Sequence, residues 1–342
     1  DDCYKKAHYS PFPNTVHADK SLITVLKDAR ASDALVVYFI DLFSFEYSIP
    51  VEAANYLSRQ NVLVVARLKN TKKQVTIPET YVSNIFKTYR INIKPEDVII
   101  TDLSATSIPE VKEEINKRRQ AHDVFLFGSA LSPVNTFAKR FLNDYVNVST
   151  SAVVTKKYKG TDLDVMRIPL DNSSKVYCIP PFEENNSYYT LGNENFRKII
   201  TPDSKAGIRR KTLKPGKSMM IGELVRIDFL EGKTTKVDAF FAEKVDVEVM
   251  STRHCDKHFL DMLEKHPLRP YLPELKSSRD FDAFEIEVNE EGYRDVGISG
   301  LGWISFKGEG QKLRIYVKIG IGVYGSEAKV KTHANTKTKG KA

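Results

Sequence analysis

An α/β domain with a parallel sheet, followed by a β-rich C-terminal domain, is the fold class this sequence predicts, and three observations carry it. Continuous apolar runs such as ALVVYFIDLF (34–43) and NVLVVARL (61–68) alternate with amphipathic stretches over the first half, as strands covered on both faces require. After about residue 150 the pattern changes to short strands of alternating polarity. A chain of 342 residues that is 41% hydrophobic is long enough for two domains with cores of their own.

Taken in order, residues 20–30 read as a helix, 34–43 as a buried strand, 51–59 as helical and 61–68 as a second buried strand. A lysine-bearing loop, a helix near 79–89, the strand DVIITDL (97–103), the helix 108–119, the strand DVFLFG (123–128) and the helix 135–144 follow. Such repetition places helices on both faces of a parallel sheet, with ligands beyond the carboxyl ends of its strands. TDLDVMRIPL (161–170) and KVYCIP (175–180) read as an antiparallel pair joined by the turn-forming DNSS. From 191 onward the strands are 218–230, 236–242, 244–250, 281–288, 303–307 and 313–325, with one helix near 256–265. The polar tail after 327 contains five lysines and is expected to be disordered.

The formal charge of +8 and pI near 9.1 favour an anionic partner, nucleic acid first. No apolar run is long enough for a transmembrane helix, and the start carries no signal-peptide pattern. Three cysteines without a C-x-x-C pair point to a reducing compartment, with neither a disulfide framework nor a complete zinc site.

The most informative stretch is VFLFGSALSPVNTFAK (124–139): an apolar strand, a glycine, a short loop and the start of an amphipathic helix. That is the setting of a nucleotide-binding loop, in which backbone N–H groups and a lysine cradle phosphates and a hydroxyl holds magnesium. Pro133, Val134 and Asn135 stand where the final glycine, the lysine and the serine belong. Proline removes a donor, valine the charge and asparagine the hydroxyl.

The order of the pieces then becomes informative: VVARLKN, IITDLSATSIPEV, FGSALSPVNTFAK, KGTDLDVMRIPL and VYCIPPF, with LKPGKSMMIGELVRIDFLEG (213–232) and ISGLGWISF (298–306) further on. In this order the chain resembles, over essentially its whole length, the YqeH family of circularly permuted GTPases, in which the base-recognition motif precedes the phosphate loop. The resemblance implies a circularly permuted P-loop GTPase-like domain and a role in assembling the small ribosomal subunit. The departures are as informative. The N-K-x-D motif aligns with Arg67, Leu68, Lys69 and Asn70, and Asn70 lacks the carboxylate that accepts two guanine N–H groups. The S-A-x motif aligns with Thr101, Asp102 and Leu103. In the phosphate loop Gly128 and Thr136 survive, while Leu131, Pro133, Val134 and Asn135 replace the working residues. The G-T-T switch becomes Gly160, Thr161 and Asp162, and D-T-P-G becomes Cys178, Ile179, Pro180 and Pro181. These positions, Arg67, Asn70, Thr101, Gly128, Val134, Asn135, Thr136, Gly160, Thr161 and Cys178, are vestigial nucleotide-binding positions, with no catalytic residue among them.

Other residues bear on partners. Lys156, Lys157 and Lys159 precede Gly160 in the region equivalent to a switch loop, and Lys205, Arg209, Arg210, Lys211, Lys214 and Lys217 cluster in the connection to the second domain. Both clusters are RNA-binding candidates, since lysine and arginine that neutralise phosphates release counterions. His254, Cys255 and His258 form an H-C-x-x-H cluster without an apparent fourth ligand, so no metal site is expected. Cys3 and His8 resemble the end of the family's zinc finger. Asp41 ends a buried strand, in a hydrogen-bonding or a functional role, and Trp303 reads as core.

The expected organisation is a remnant of a lost or trimmed finger at 1–19, the GTPase-like domain at 20–190, the β-rich domain at 191–327 and a basic tail at 328–342. The expected function is that of a small-subunit assembly factor, a pseudo-GTPase that binds rRNA or ribosomal protein without a cofactor; GTP and magnesium enter only if binding is retained. The alternatives are an active GTPase in which Lys139 or Lys156 compensates, and a stable ribosome component. The expected location is the bacterial cytoplasm, with the mitochondrial matrix as the alternative.

Overall fold

A computed structural model describes residues 5–7, 18–58, 60–68, 75–76, 78–149, 153–202, 207–265, 271–289 and 292–331. The chain forms two compact units, one of Asn14–Leu68 and Ile77–Glu184 and the other of Asp1–Pro13, Lys69–Thr76 and Asn185–Ala342.

The first unit is built on a seven-stranded sheet. From edge to edge its strands are Val98–Thr101, Val62–Arg67, Leu35–Asp41, Val124–Gly128, Lys175–Cys178, Asp164–Pro169 and Val154–Lys157. The first five are parallel and the last two antiparallel. Every residue of Leu35–Asp41 is buried, which is why this stretch reads as an unbroken apolar run. The helix Lys20–Ala31 opens with the Asp19 carboxylate accepting from the Ser21 N–H at 3.1 Å and buries Leu22, Val25, Leu26 and Ala29, the i, i+3, i+4, i+7 stripe of an amphipathic helix. The helix Ile108–Arg119 tolerates Pro109 in its first turn and stops at Gln120, whose φ of 48° is left-handed.

Chain order and spatial order first diverge beside Leu35–Asp41. After Leu35–Asp41 the chain builds the sheet outward through Val62–Arg67 and Val98–Thr101, then returns to lay Val124–Gly128 on the opposite side of Leu35–Asp41. The gap between these two strands is the topological switch point, where open parallel sheets hold their ligands.

Lys156 and Lys157 do not lie in a loop. They belong to the edge strand Val154–Lys157, all four residues exposed and hydrogen-bonded to Asp164–Pro169. A short strand with one covered side and two lysines has no apolar periodicity to announce it.

The second unit packs two sheets around one apolar core. The six-stranded sheet runs Lys5–Ala7, Phe281–Val288, Gln311–Lys318, Val225–Glu231, Lys217–Ile221 and Val247–Ser251. The five-stranded sheet runs Gly207–Leu213, Thr235–Phe241, Gly302–Gly308, Gly292–Ile298 and Val323–Glu327. Met219, Ile227, Leu313 and Ile315 of the first meet Ala239, Phe241, Val296 and Ile304 of the second in the core. Two stretches expected as single strands are each divided in two, the first as a hairpin and the second as strands of the two different sheets. The run 218–230 turns at Gly222 and Glu223, whose φ values of 52° and 59° give the doubly left-handed turn that suits antiparallel strands. The run 313–325 breaks before Gly320, at φ 89°. Gly207–Leu213, expected as a connection, is an edge strand, and Tyr188–Leu191 and Glu194–Ile200 are helices. The expected helix near 256–265 spans Thr252–Lys265.

Candidate functional site

Read across the sheet, the last residues of the five parallel strands are Thr101, Arg67, Asp41, Gly128 and Cys178. Four of these five are vestigial positions expected from the sequence. Asn70 lies outside the described residues. Gly160 and Thr161 are elsewhere, at the tip of the edge hairpin, three strands from Val124–Gly128; there the Thr161 hydroxyl donates to the Tyr158 carbonyl at 3.1 Å and accepts from the Leu163 N–H at 3.2 Å.

The loop after Gly128 is folded against its own strand. A Cβ at Gly128 would stand 2.3 Å from Ser132 Oγ and 2.9 Å from the Phe39 carbonyl oxygen, so only glycine fits. Ser132 holds the turn: its N–H and hydroxyl donate to the Ser129 carbonyl at 3.0 and 2.7 Å, and its Oγ accepts from the Val134 N–H at 3.5 Å. The Ala130 N–H donates to the Phe182 carbonyl at 2.8 Å. Of the five backbone positions from 130 to 134, three donors therefore serve protein oxygens, and Pro133 has none. A phosphate nest needs those donors directed at the anion.

Val134, the expected lysine position, is 1% exposed and belongs to the apolar cluster that includes Leu103, Ile108, Phe137 and Cys178. It opens the helix Val134–Ser149, on which Asn135 and Thr136 are exposed. The Cys178 thiol, in place of an aspartate, is buried, which pushes its pKa up to about 12 and leaves it a neutral side chain with no charge to organise a metal.

The cation at this edge is Arg67. Its Nε donates to Asp41 Oδ2 at 2.7 Å, a second nitrogen bonds the same oxygen, and that nitrogen lies 3.5 Å from the Leu131 carbonyl oxygen of the loop. Asp41 is 3% exposed and also accepts from the Phe43 N–H at 2.9 Å. Sequence reasoning left Asp41 between two roles and treated Arg67 only as a replaced asparagine; a buried carboxylate ending one strand beside a basic residue ending the next was the available signal for the pair. Beyond Arg67, the Thr101 hydroxyl accepts from the Leu103 N–H at 3.0 Å, and Arg140 donates to the Leu103 carbonyl. The Asp102 carboxylate, held by the Ser104 N–H and the Ser107 hydroxyl at 2.9 and 2.8 Å, titrates below its ordinary range.

Among the basic candidates, Arg209 and Arg210 are tied to acceptors within the protein, although the Arg210 side chain stays half exposed. Arg209 donates to the Phe241 and Ala242 carbonyls at 3.1 and 3.0 Å, and Arg210 makes a two-point pair with Asp238 at 2.6 and 2.9 Å. Lys157 pairs with Asp164 at 3.5 Å, whereas Lys156, Lys159 and Lys214 are exposed and Lys211 and Lys217 half-buried. Lys205 is outside the described residues. His254 and His258 lie on one helix face with ring centroids 6.0 Å apart; among the described residues no three metal-ligating side chains come together. Among the described residues, too, no helix is long and apolar enough to cross a membrane. Trp303 is buried, stacked on Phe240 at 4.7 Å with the Lys329 ammonium 4.2 Å above its ring.

No protein-family model matches the chain. It is homologous to YqeH of Bacillus subtilis, a protein described as uncharacterized: 22% identical over 328 residues, covering 94% of this chain and 88% of that one. It is 21% identical over 315 residues to the NO-associated protein 1, chloroplastic/mitochondrial, of Arabidopsis thaliana, and 20% identical over 302 residues to a putative nitric oxide synthase of Oryza sativa. The matches span 82% and 81% of this chain but 56% and 55% of the plant proteins, so the chain accounts for little more than half of their length.

Proposed function

We propose that this chain, a relative of YqeH, is a ribosome-assembly factor whose GTPase-like unit has given up nucleotide chemistry and serves as a docking surface for the small ribosomal subunit, through rRNA or ribosomal protein. The observation that carries this reading is the loop 130–134, three of whose four backbone donors are turned onto protein oxygens while the cation beside it, Arg67, is paired with Asp41. Charge-assisted contacts to phosphate are among the strongest polar interactions. Losing the lysine and the metal together costs several kcal/mol, about a thousandfold in affinity.

Compensation by other lysines has poor geometry. Lys139 stands five residues into the helix, about 7.5 Å along its axis from Val134. Lys156 is on a strand three positions from Val124–Gly128, about 14 Å across the sheet. A lysine reaches about 6 Å, so neither replaces the missing cation without a large movement. The net charge of +8 supports a polyanionic partner. The plant relative named for chloroplast and mitochondrion keeps an organellar matrix beside the bacterial cytoplasm as the place of action.

Sedimentation through a sucrose gradient tests the reading. The protein is expected to travel with small ribosomal subunits or their precursors at low salt and to be released at high salt. Migration at the top of the gradient under all salts removes the ribosomal reading; equimolar retention in mature, salt-washed ribosomes favours the stable-component alternative.

A further inference from the structure

The strand registers of the second unit bring a set of lysines to one end of it. Leu213 pairs with Thr235, Gly308 with Gly292, Lys217 with Phe229, Glu231 with Lys312 and Val288 with Gln311. The connections 214–216, 232–234 and 309–310 therefore open at the same end of both sheets. Lys214 and Lys233 sit in these turns, Lys217 at a strand start, and Lys236 and Lys307 just inside the rim. One register step beyond the Val237–Phe306 pair sets Lys236 opposite Lys307, and Lys307 pairs on its other side with Tyr293, all on the face turned away from the core.

Like charges directly opposite each other across strands are destabilising, and an anion between them removes the penalty. Glu309 is shared between Lys307 and Lys233, and their side chains nevertheless remain 58% and 78% exposed. Among the described residues, no carboxylate is within ion-pair distance of Lys214, Lys217 or Lys236.

We infer that this turn end of the β-rich unit is an RNA-binding surface, in which Lys214, Lys217, Lys233, Lys236 and Lys307 neutralise backbone phosphates and Tyr293 offers a ring beside them. The inference rests on the RNA-binding reading above and adds the place: Lys233, Lys236 and Lys307 fall outside both clusters expected from the sequence. A lipid surface fits less well, because the exposed large apolar side chains among the described residues are Val154, on the other unit, and Ile208 and Ile319, at the opposite strand ends. An acidic peptide adding as a strand needs a free ladder edge, and this end consists of turns.

The test uses the full chain, a generic RNA hairpin and fluorescence anisotropy over a salt series. The triple variant Lys233→Gln/Lys236→Gln/Lys307→Gln is expected to bind at least about tenfold more weakly at low salt, with the salt slope reduced by about 2–3. Lys244→Gln/Lys276→Gln, exposed lysines at the opposite strand ends of the same unit, serves as the comparison and should stay within about twofold of the parent. Replacing the same three turn-end lysines by arginine keeps the charge and should keep the affinity; equal loss in that variant means charge is not the cause and overturns the inference. If the parent binds RNA and the glutamine variant binds it equally with an unchanged slope, the surface is wrong while the RNA-binding reading stands. If the parent shows no salt-sensitive binding, both fall. Loss of binding to phosphatidylserine vesicles with RNA binding intact likewise overturns the assignment.

Discussion

At the carboxyl edge of the parallel sheet Arg67 turns inward onto Asp41 and toward the Leu131 carbonyl, whereas at the turn end of the β-rich unit Lys214, Lys233 and Lys236 face solvent. The first arrangement fixes a cation where a ligand would otherwise have to be met; the second leaves cations for a partner to find. A half-buried guanidinium must keep its carboxylate, because an unpaired buried charge is strongly destabilising. Exposed lysines carry no such obligation, and their strongest contribution comes when an anion with many charges displaces counterions. The difference teaches that charge at the sheet edge is satisfied within the protein, whereas charge at the turn end is left facing solvent.

Variants that disturb inward charge should cost far more stability than those that disturb outward charge. The largest effect is expected at Arg226, 2% exposed, which makes a two-point pair with Asp228 at 2.7 and 2.8 Å and reaches Asp256 at 2.6 Å. Arg226→Leu strands Asp228 and should lower stability by about 3–5 kcal/mol, read from urea unfolding. Next comes Gly128→Ala, whose methyl group must push Ser132 and the Phe39 carbonyl aside; it should lower stability by about 1–3 kcal/mol. A thermal midpoint equal to that of the parent would mean the loop after Gly128 is looser than described.

A smaller, pH-dependent effect is expected at Asp171. Its carboxylate accepts from the Ser174 hydroxyl at 2.6 Å, from the Ser173 and Ser174 N–H groups at 2.9 and 2.8 Å and from Arg119 at 3.0 Å, which holds its pKa well below the usual carboxylate range. A carboxyl group whose folded pKa is depressed adds stability above its unfolded value, about 3.9, and loses it as pH falls through that value toward the folded one. Asp171→Asn should therefore flatten the acid side of the stability profile, measured as urea midpoints from neutral pH downward; identical acid slopes in parent and variant contradict this. The smallest effect belongs to Lys157→Ala, whose pair with Asp164 is solvent-exposed and should change stability by less than about 0.5 kcal/mol.

Much of the first unit was legible because buried parallel strands are apolar on both faces. The runs 34–43, 61–68 and 123–128 contain the observed strands, and the helix 108–119 matches residue for residue. Turn chemistry was less legible: Gly222 and Glu223 sit inside an apolar run, and only their positive φ shows that the chain reverses there. The edge strands Val154–Lys157 and Gly207–Leu213 were read as connections because each carries basic residues in place of an apolar face. At the candidate site, the positions that gather along the sheet edge could be named from motif order, but the Arg67–Asp41 pair could not, since its members are 26 residues apart and meet only through the parallel register. The turn-end lysines were hidden for a similar reason: Lys236 and Lys307 are distant in sequence and become neighbours only through antiparallel pairing.

Isothermal titration of the purified chain with GTP and magnesium bears most directly on the central claim. With three of the four backbone donors of residues 130–134 tied to protein oxygens and Arg67 held by Asp41, no heat of binding should appear at micromolar nucleotide. Saturable, magnesium-dependent binding in that range would show that the cleft still grips a triphosphate and would contradict the account.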